Sequence, residues 1–197
     1  MKKMILITVG IITAIIIVVS CNSKNQQQSA AVTISQDSLI KKGEYLVSVM
    51  GCHDCHTPKK MTEQGPVLDM EKMLSGHPAN MPVAGFDTAT TKNWVLFNMM
   101  NTAAVGPWGV SFSGNLTSDD TGIGNWTEAQ FKKAITEGKF KGMDGTRPLL
   151  PPMPWQNLQN IKDEDVKAIF AFLKATKPVE NIVPRAILPE DLAQLNK

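Results

Sequence analysis

The most constraining feature of the chain is a five-residue string, Cys52-His53-Asp54-Cys55-His56. Its spacing is C-x-x-C-H, which reads as c-type haem attachment. Two thiols three positions apart at a helix end can each add to a vinyl group of one haem. The next residue, His56, then projects its imidazole to the iron. Two other uses of the pair compete. A redox dithiol wants a βαβ context, and none precedes the motif. A zinc site needs two further ligands at matching spacing. Only His77 remains as a histidine outside the motif, and Cys21 is the only other cysteine. One motif means one haem, covalently held through Cys52 and Cys55.

Helical spacing leads into the motif. Ser35 or Asp37 can cap a helix whose stripe is Leu39, Gly43, Leu46 and Met50, with Ile40 and Val49 beside it. Gly43 in mid-helix costs about 1 kcal/mol against Ala, which predicts another helix crossing closely there. The natural partner runs from about Asp163 to Ala175. Its stripe is Val166, Ile169, Phe170 and Leu173, and Pro178 lies beyond its end. Asp163, Glu164 and Asp165 suit its positive N-terminus. Thr127-Glu128-Ala129-Gln130 is a capping box opening a helix with Phe131, Ala134 and Ile135 on one face, ending near Gly138. Residues 101–117 carry Val105, Trp108, Val110 and Phe112 in alternation and are expected to form a short β-ribbon. Residues 57–100 are expected to hold turns and at most one helix, around Lys92–Met100. The tail after Pro178 is expected to wrap the surface. No internal repeat is present.

The chain has 11 methionines, so the second axial ligand needs a structural argument. Met153 stands in Leu149-Leu150-Pro151-Pro152-Met153-Pro154-Trp155. Prolines fix φ and remove N–H donors, so this segment is a stiff extended loop that can hold a thioether at a fixed point. Met143, Met81 and His77 are the other candidates. For His77, in Gly76-His77-Pro78, the competing assignment is a solvent-facing turn.

The N-terminus reads as an export signal. Lys2 and Lys3 precede an apolar run from Met4 to Val19, about 16 residues, near the lower limit for spanning a bilayer. Val18-Val19-Ser20-Cys21 resembles a bacterial lipobox, in which the signal is cut before a Cys that carries a diacylglycerol. An uncleaved signal anchor is the alternative. Residues 1–20 are thus assigned to the signal, and 21–36 to a lipid-anchor Cys with a flexible polar tether reaching about 20 Å. The full chain carries 20 Lys+Arg against 18 Asp+Glu, a net +2. Without Lys2 and Lys3 it is balanced, which argues against a nucleic-acid partner.

Residues from about 37 to 178 resemble a class I cytochrome c domain, followed by a tail over 179–197. Gly65-Pro66-Val67-Leu68 is similar to the family's Gly-Pro-x-Leu loop. The resemblance implies that the Pro66 carbonyl accepts the axial His Nδ1–H. Asn115-Leu116-Thr117, Thr121-Gly122-Ile123-Gly124, Trp126-Thr127 and Pro151-Pro152-Met153-Pro154-Trp155 are similar to a bacterial subgroup. Its members are often linked to periplasmic dehydrogenases or carried as membrane-attached electron carriers. Two departures stand out: His56 and Met153 are about 97 positions apart, longer than in compact members, with the extra length expected to be an insertion over 80–117, and Lys162 stands where the subgroup usually has Ser or Thr before its acidic triplet.

The expected fold is mainly α: a cytochrome c-like helical domain around one covalent haem, with long loops and a short β-ribbon. His56 and Met153 are the iron ligands. Trp126, Leu150 and Trp155 are candidates for the haem wall, with ordinary core packing as the competing assignment. Arg147 is a candidate for a propionate, against a solvated loop charge. The function implied is electron transfer by a membrane-attached carrier or subunit outside the cytoplasm, not catalysis. Its partner would be a dehydrogenase, an oxidase or another cytochrome. The alternative is a haem enzyme or ligand sensor with an open sixth iron position. Segment 131–147 holds Lys132, Lys133, Lys139, Lys141 and Arg147 against Glu137 and Asp144. That surplus could steer an acidic partner or be a solvated face.

Overall fold

The structure is a computed structural model and describes residues 35–194. The export signal, Cys21 and nearly all of the tether lie outside the described residues. Among the described residues, four helices form the frame: α1 (Gln36–Val49), α2 (Cys52–His56), α3 (Glu128–Glu137) and α4 (Asp163–Ala175). Among the described residues, no helix is long and apolar enough to cross a membrane.

Local chemistry sets the helix ends. Ser35 is the N-cap of α1, and its hydroxyl accepts the Ser38 N–H. The α3 capping box is complete in both directions: Gln130 N–H donates to the Thr127 hydroxyl, and Thr127 N–H donates to the Gln130 side chain. Such a cap contributes about 1 kcal/mol. Gly138 ends α3. Lys162 is the N-cap of α4 and offers no side-chain acceptor. The first-turn acids Asp163, Glu164 and Asp165 supply the favourable charge there instead.

Helices α1 and α4 cross at Gly43. A Cβ there would sit 2.0 Å from the Ala168 carbonyl oxygen and 2.7 Å from Phe172 Cβ. Only a residue without a side chain permits so close a backbone approach. Around the crossing lies the main core: Val47, Leu74, Ile123, Phe131, Ile135, Val166, Ile169, Phe172 and Leu173. Lys42 spans the same pair of helices on the outside, 2.6 Å from Asp165.

Two small antiparallel sheets complete the fold. Strands β1 (Lys59–Thr62) and β2 (Gly65–Leu68) form a hairpin in the register Lys59 to Leu68 and Thr62 to Gly65. Strands β3 (Leu96–Phe97), β4 (Ala103–Gly106) and β5 (Gly109–Phe112) form the second sheet in that order. The β4–β5 pair is the expected ribbon. The helix expected around Lys92–Met100 is absent. A single 3₁₀ turn, Thr90–Lys92, precedes β3, because Leu96 pairs with Val105 and joins a second core. That core contains Val105, Val110 and Leu192.

The tail does more than wrap the surface. Ile182 is exposed, but Ile187 pairs with Val110 and Leu192 is buried. Asn181 donates to the carbonyls of Ser75 (2.7 Å) and His77 (2.9 Å) and accepts the Ala79 N–H. The residues after Pro178 therefore close the domain.

Candidate haem site

The site starts at the joint between α1 and α2. Gly51 has φ +71°, a left-handed turn that glycine makes without steric cost. It lets the chain reverse out of α1 and start a new helical turn at Cys52. Positions 52, 55 and 56 then fall on one face of α2, as i, i+3 and i+4 neighbours do.

Both cysteines are free and half-buried. Cys52 packs against the main core, and burial pushes its thiol up to about 11. Burial also raises the Cys55 thiol. Both are therefore uncharged at neutral pH. His56 Nδ1 lies 2.8 Å from the Gly114 carbonyl oxygen. A carbonyl can only accept, so Nδ1 carries the proton. Burial lowers the His56 pKa, although the bond to Gly114 opposes the shift. The ring is neutral, with its lone pair on Nε2, which makes no hydrogen bond among the described residues. A metal-ligating histidine needs this tautomer, oriented through its other nitrogen.

Gly114 is brought to His56 through residues 74–77. Gly76 N–H donates to the His56 carbonyl (2.8 Å), His77 N–H to Ser113, and Leu116 N–H to Leu74. Thr57, wholly buried, accepts the Leu74 N–H and lies 3.0 Å from His53 Nδ1. Asn115 fixes the following loop: its Oδ1 accepts from Thr117 N–H and hydroxyl, and its Nδ2 donates to Val179.

The acceptor for His56 is thus Gly114, not Pro66. Pro66 lies in β2, paired with Met61, where the hairpin ladder fixes its backbone. His77 is neither a solvent-facing turn nor an open ligand. It is 1% exposed, its Nδ1 is 2.9 Å from the Thr102 hydroxyl, and its Nε2 is 3.3 Å from the Met81 carbonyl.

Met153 is half-buried between exposed prolines, and its N–H donates to Leu150. Met143 is exposed, and the Met81 sulfur accepts from Asn98 Nδ2 at 3.7 Å. Trp126 packs against the main core. Trp155 lies under Gly138, whose Cβ would meet the indole ring at 2.3 Å. Leu150 is half-buried. Arg147 stacks on Phe140 with its guanidinium 4.0 Å from the ring centroid. Of the basic segment, Lys132 pairs with Asp163 and Lys133 with Asp144, both at 2.7 Å. Arg147 and Lys141 remain grouped around the Phe140 ring.

The residues present fit a haem c: two uncharged thiols on one turn, beside a neutral, anchored imidazole with a free Nε2. Among the described residues there is no group of three or more His, Cys, Asp or Glu suited to a metal ion. Sequence reasoning missed Gly114 and Thr57. Gly114 acts through its carbonyl and leaves no side-chain signature. Its one sequence clue is its position just before Asn115-Leu116-Thr117.

No family model matches the chain. The chain is 31% identical over 147 residues to the gluconate 2-dehydrogenase cytochrome c subunit of Pantoea cypripedii, covering 74% of this chain and 25% of that one. It is 27% identical over 179 residues to the fructose dehydrogenase cytochrome subunit of Gluconobacter japonicus, covering 90% and 29%. The cytochrome c subunit of the quinone-type alcohol dehydrogenase of Gluconobacter oxydans is 29% identical over 147 residues, covering 74% of this chain and 23% of its own. The chain thus spans less than a third of the length of these curated relatives. Relatives bearing the name of a dehydrogenase cytochrome subunit support a cytochrome c-type family and an electron-transfer subunit.

Proposed function

We propose that the chain is a monohaem c-type cytochrome that carries electrons outside the cytoplasm for a dehydrogenase or another redox protein. The observation that carries this reading is the face of α2 that presents Cys52, Cys55 and His56 together, with His56 Nδ1 held by Gly114 at 2.8 Å. The names of the matched relatives support the class of partner. The substrate of that partner is not carried over.

Bound haem supplies a reversible one-electron couple at its iron. The chain's own residues do the rest. Cys52 and Cys55 fix the group covalently. His56 offers Nε2, and the Gly114 carbonyl keeps the imidazole from rotating, so little rearranges between oxidation states. Met153 is proposed as the second axial ligand, which favours a high potential. Trp126, Leu150 and Trp155 are proposed to exclude water around the group, and Arg147 to meet a propionate. With His56 and Met153 both holding the group, the protein would leave substrate no open place at the metal.

Optical spectra of the purified protein, oxidised and reduced, test this. We expect a c-type spectrum with the weak red thioether-to-iron band. Met153→Ala is expected to lose that band and to lower the potential. Five-coordinate high-spin spectra in the wild type would instead support an enzyme or sensor with an open position.

The export signal over 1–20, a lipid on Cys21 and the tether to residue 36 complete the proposal and place the haem domain at a membrane surface. Two or more acyl chains are enough for stable anchoring. Metabolic labelling with a fatty acid is expected to mark the wild type and not Cys21→Ser. Labelling that survives the substitution sinks the anchor.

A further inference from the structure

We infer that Asn101 is a positioning residue for the Cys55 sulfur and raises the reduction potential of the group attached there. The inference rests on the reading that Cys55 carries haem. Asn101 Nδ2 lies 3.0 Å from the Asp54 carbonyl oxygen and 3.7 Å from Cys55 Sγ. A carboxamide NH₂ has two donors, so one side chain serves both acceptors.

The need for such a donor follows from the length of α2. A one-turn helix leaves its last carbonyls without intrahelical partners. The Asp54 carbonyl finds partners in Asn101 and in the Lys59 ammonium. Nothing in the motif itself supplies them.

Residues 98–102 are built to hold the carboxamide in place. Asn101 has φ +58°, a left-handed conformation in which Asn is enriched over other non-glycine residues. Its N–H donates to the Asn98 carbonyl (2.9 Å). The Asn98 side chain accepts the N–H groups of Thr102 (2.9 Å) and Ala103 (3.1 Å). Lys59 donates to the Met100 carbonyl at 2.7 Å. The turn is pinned from both sides, so Asn101 does not drift from the sulfur.

The electrostatic consequence has a definite sign. The carboxamide points the positive end of its dipole at Cys55, and Lys59 adds a cation nearby. Positive potential beside a redox group favours its less positive form, which is the reduced one. Removing the amide therefore favours the oxidised form.

The test uses the full haem-loaded chain, with intact mass for the number of thioether bonds and a spectroelectrochemical titration for the potential. Asn101→Gly keeps the left-handed backbone and removes only the amide, while Lys59 still caps Asp54. It is expected to retain both thioethers and to shift the equilibrium with a fixed mediator about threefold toward the oxidised form. Asn101→Asp adds a carboxylate and is expected to shift it about tenfold in the same direction, which is 59 mV for a one-electron couple. A merely structural Asn101 predicts lower melting temperatures with the potential unchanged in both variants, and that outcome overturns the inference while leaving the haem reading intact. A wild-type chain without covalent haem sinks the functional reading and this inference with it.

Discussion

Replacing Cys52 and Cys55 together by Ser is expected to abolish haem that survives denaturation. The wild type should show one haem per chain by intact mass and by haem stain on a denaturing gel, and the double variant none. The reason lies in how little else holds the group covalently: Cys52 and Cys55 are the free cysteines of the described domain. Serine is close in size, so the core contact of Cys52 changes little, and the variant isolates chemistry from packing. His56→Ala makes a useful contrast. It leaves both thiols and removes the imidazole that Gly114 holds, so attachment should persist with an altered spectrum. A double variant that keeps its haem through denaturation would falsify the attachment assignment. So would a wild type whose thiols bind zinc in place of haem.

Gly43→Ala is expected to destabilise the domain by about 1–2 kcal/mol, which lowers the melting temperature by roughly 2–8 °C. Two terms of opposite sign compete. Ala is the better helix former by about 1 kcal/mol. Against that, its Cβ would sit 2.0 Å from the Ala168 oxygen and 2.6 Å from the Ala168 carbonyl carbon. These are backbone atoms of α4, so relief requires the two helices to move apart. Overpacking of this kind costs about 1–3 kcal/mol and sometimes more. The clash wins because a helix backbone cannot step aside as a flexible side chain can. Any shift of α1 also moves Gly51 and the start of α2, so haem content should fall alongside stability. Gly85→Ala is the control, because nothing lies within 4 Å of the added Cβ. Urea or thermal unfolding reads both. A Gly43→Ala variant more stable than wild type would mean that propensity, not the crossing, governs the site.

Much of the frame is legible from local rules. Ser35, the Thr127–Gln130 box and the stripe of Val166, Ile169 and Leu173 each act within one or two turns of chain. So do the spacing of Cys52, Cys55 and His56 and the cost of Gly43, which already points to a crossing. The parts that sequence reasoning misplaced are those decided by partners far along the chain. A helix is expected around Lys92–Met100, but Leu96 pairs with Val105 and lies in a strand. The hairpin over 59–68 lacks apolar alternation and is set by its turn. His77 looks like a turn residue until Thr102, Phe112 and the Asn181 side chain close over it.

By itself the sequence determined which atoms could hold haem, because covalent attachment depends on thiol and imidazole identity at fixed spacing. It also determined where the main helices begin and end, because caps and apolar periods act locally. Only the tertiary structure decided what orients those atoms. The acceptor for His56 is a backbone carbonyl 58 residues away, a group every residue carries, so no residue type marks it. The donor to Cys55 is an asparagine 46 residues away, placed by a turn whose own bonds form only when Lys59 and Asn98 are folded beside it.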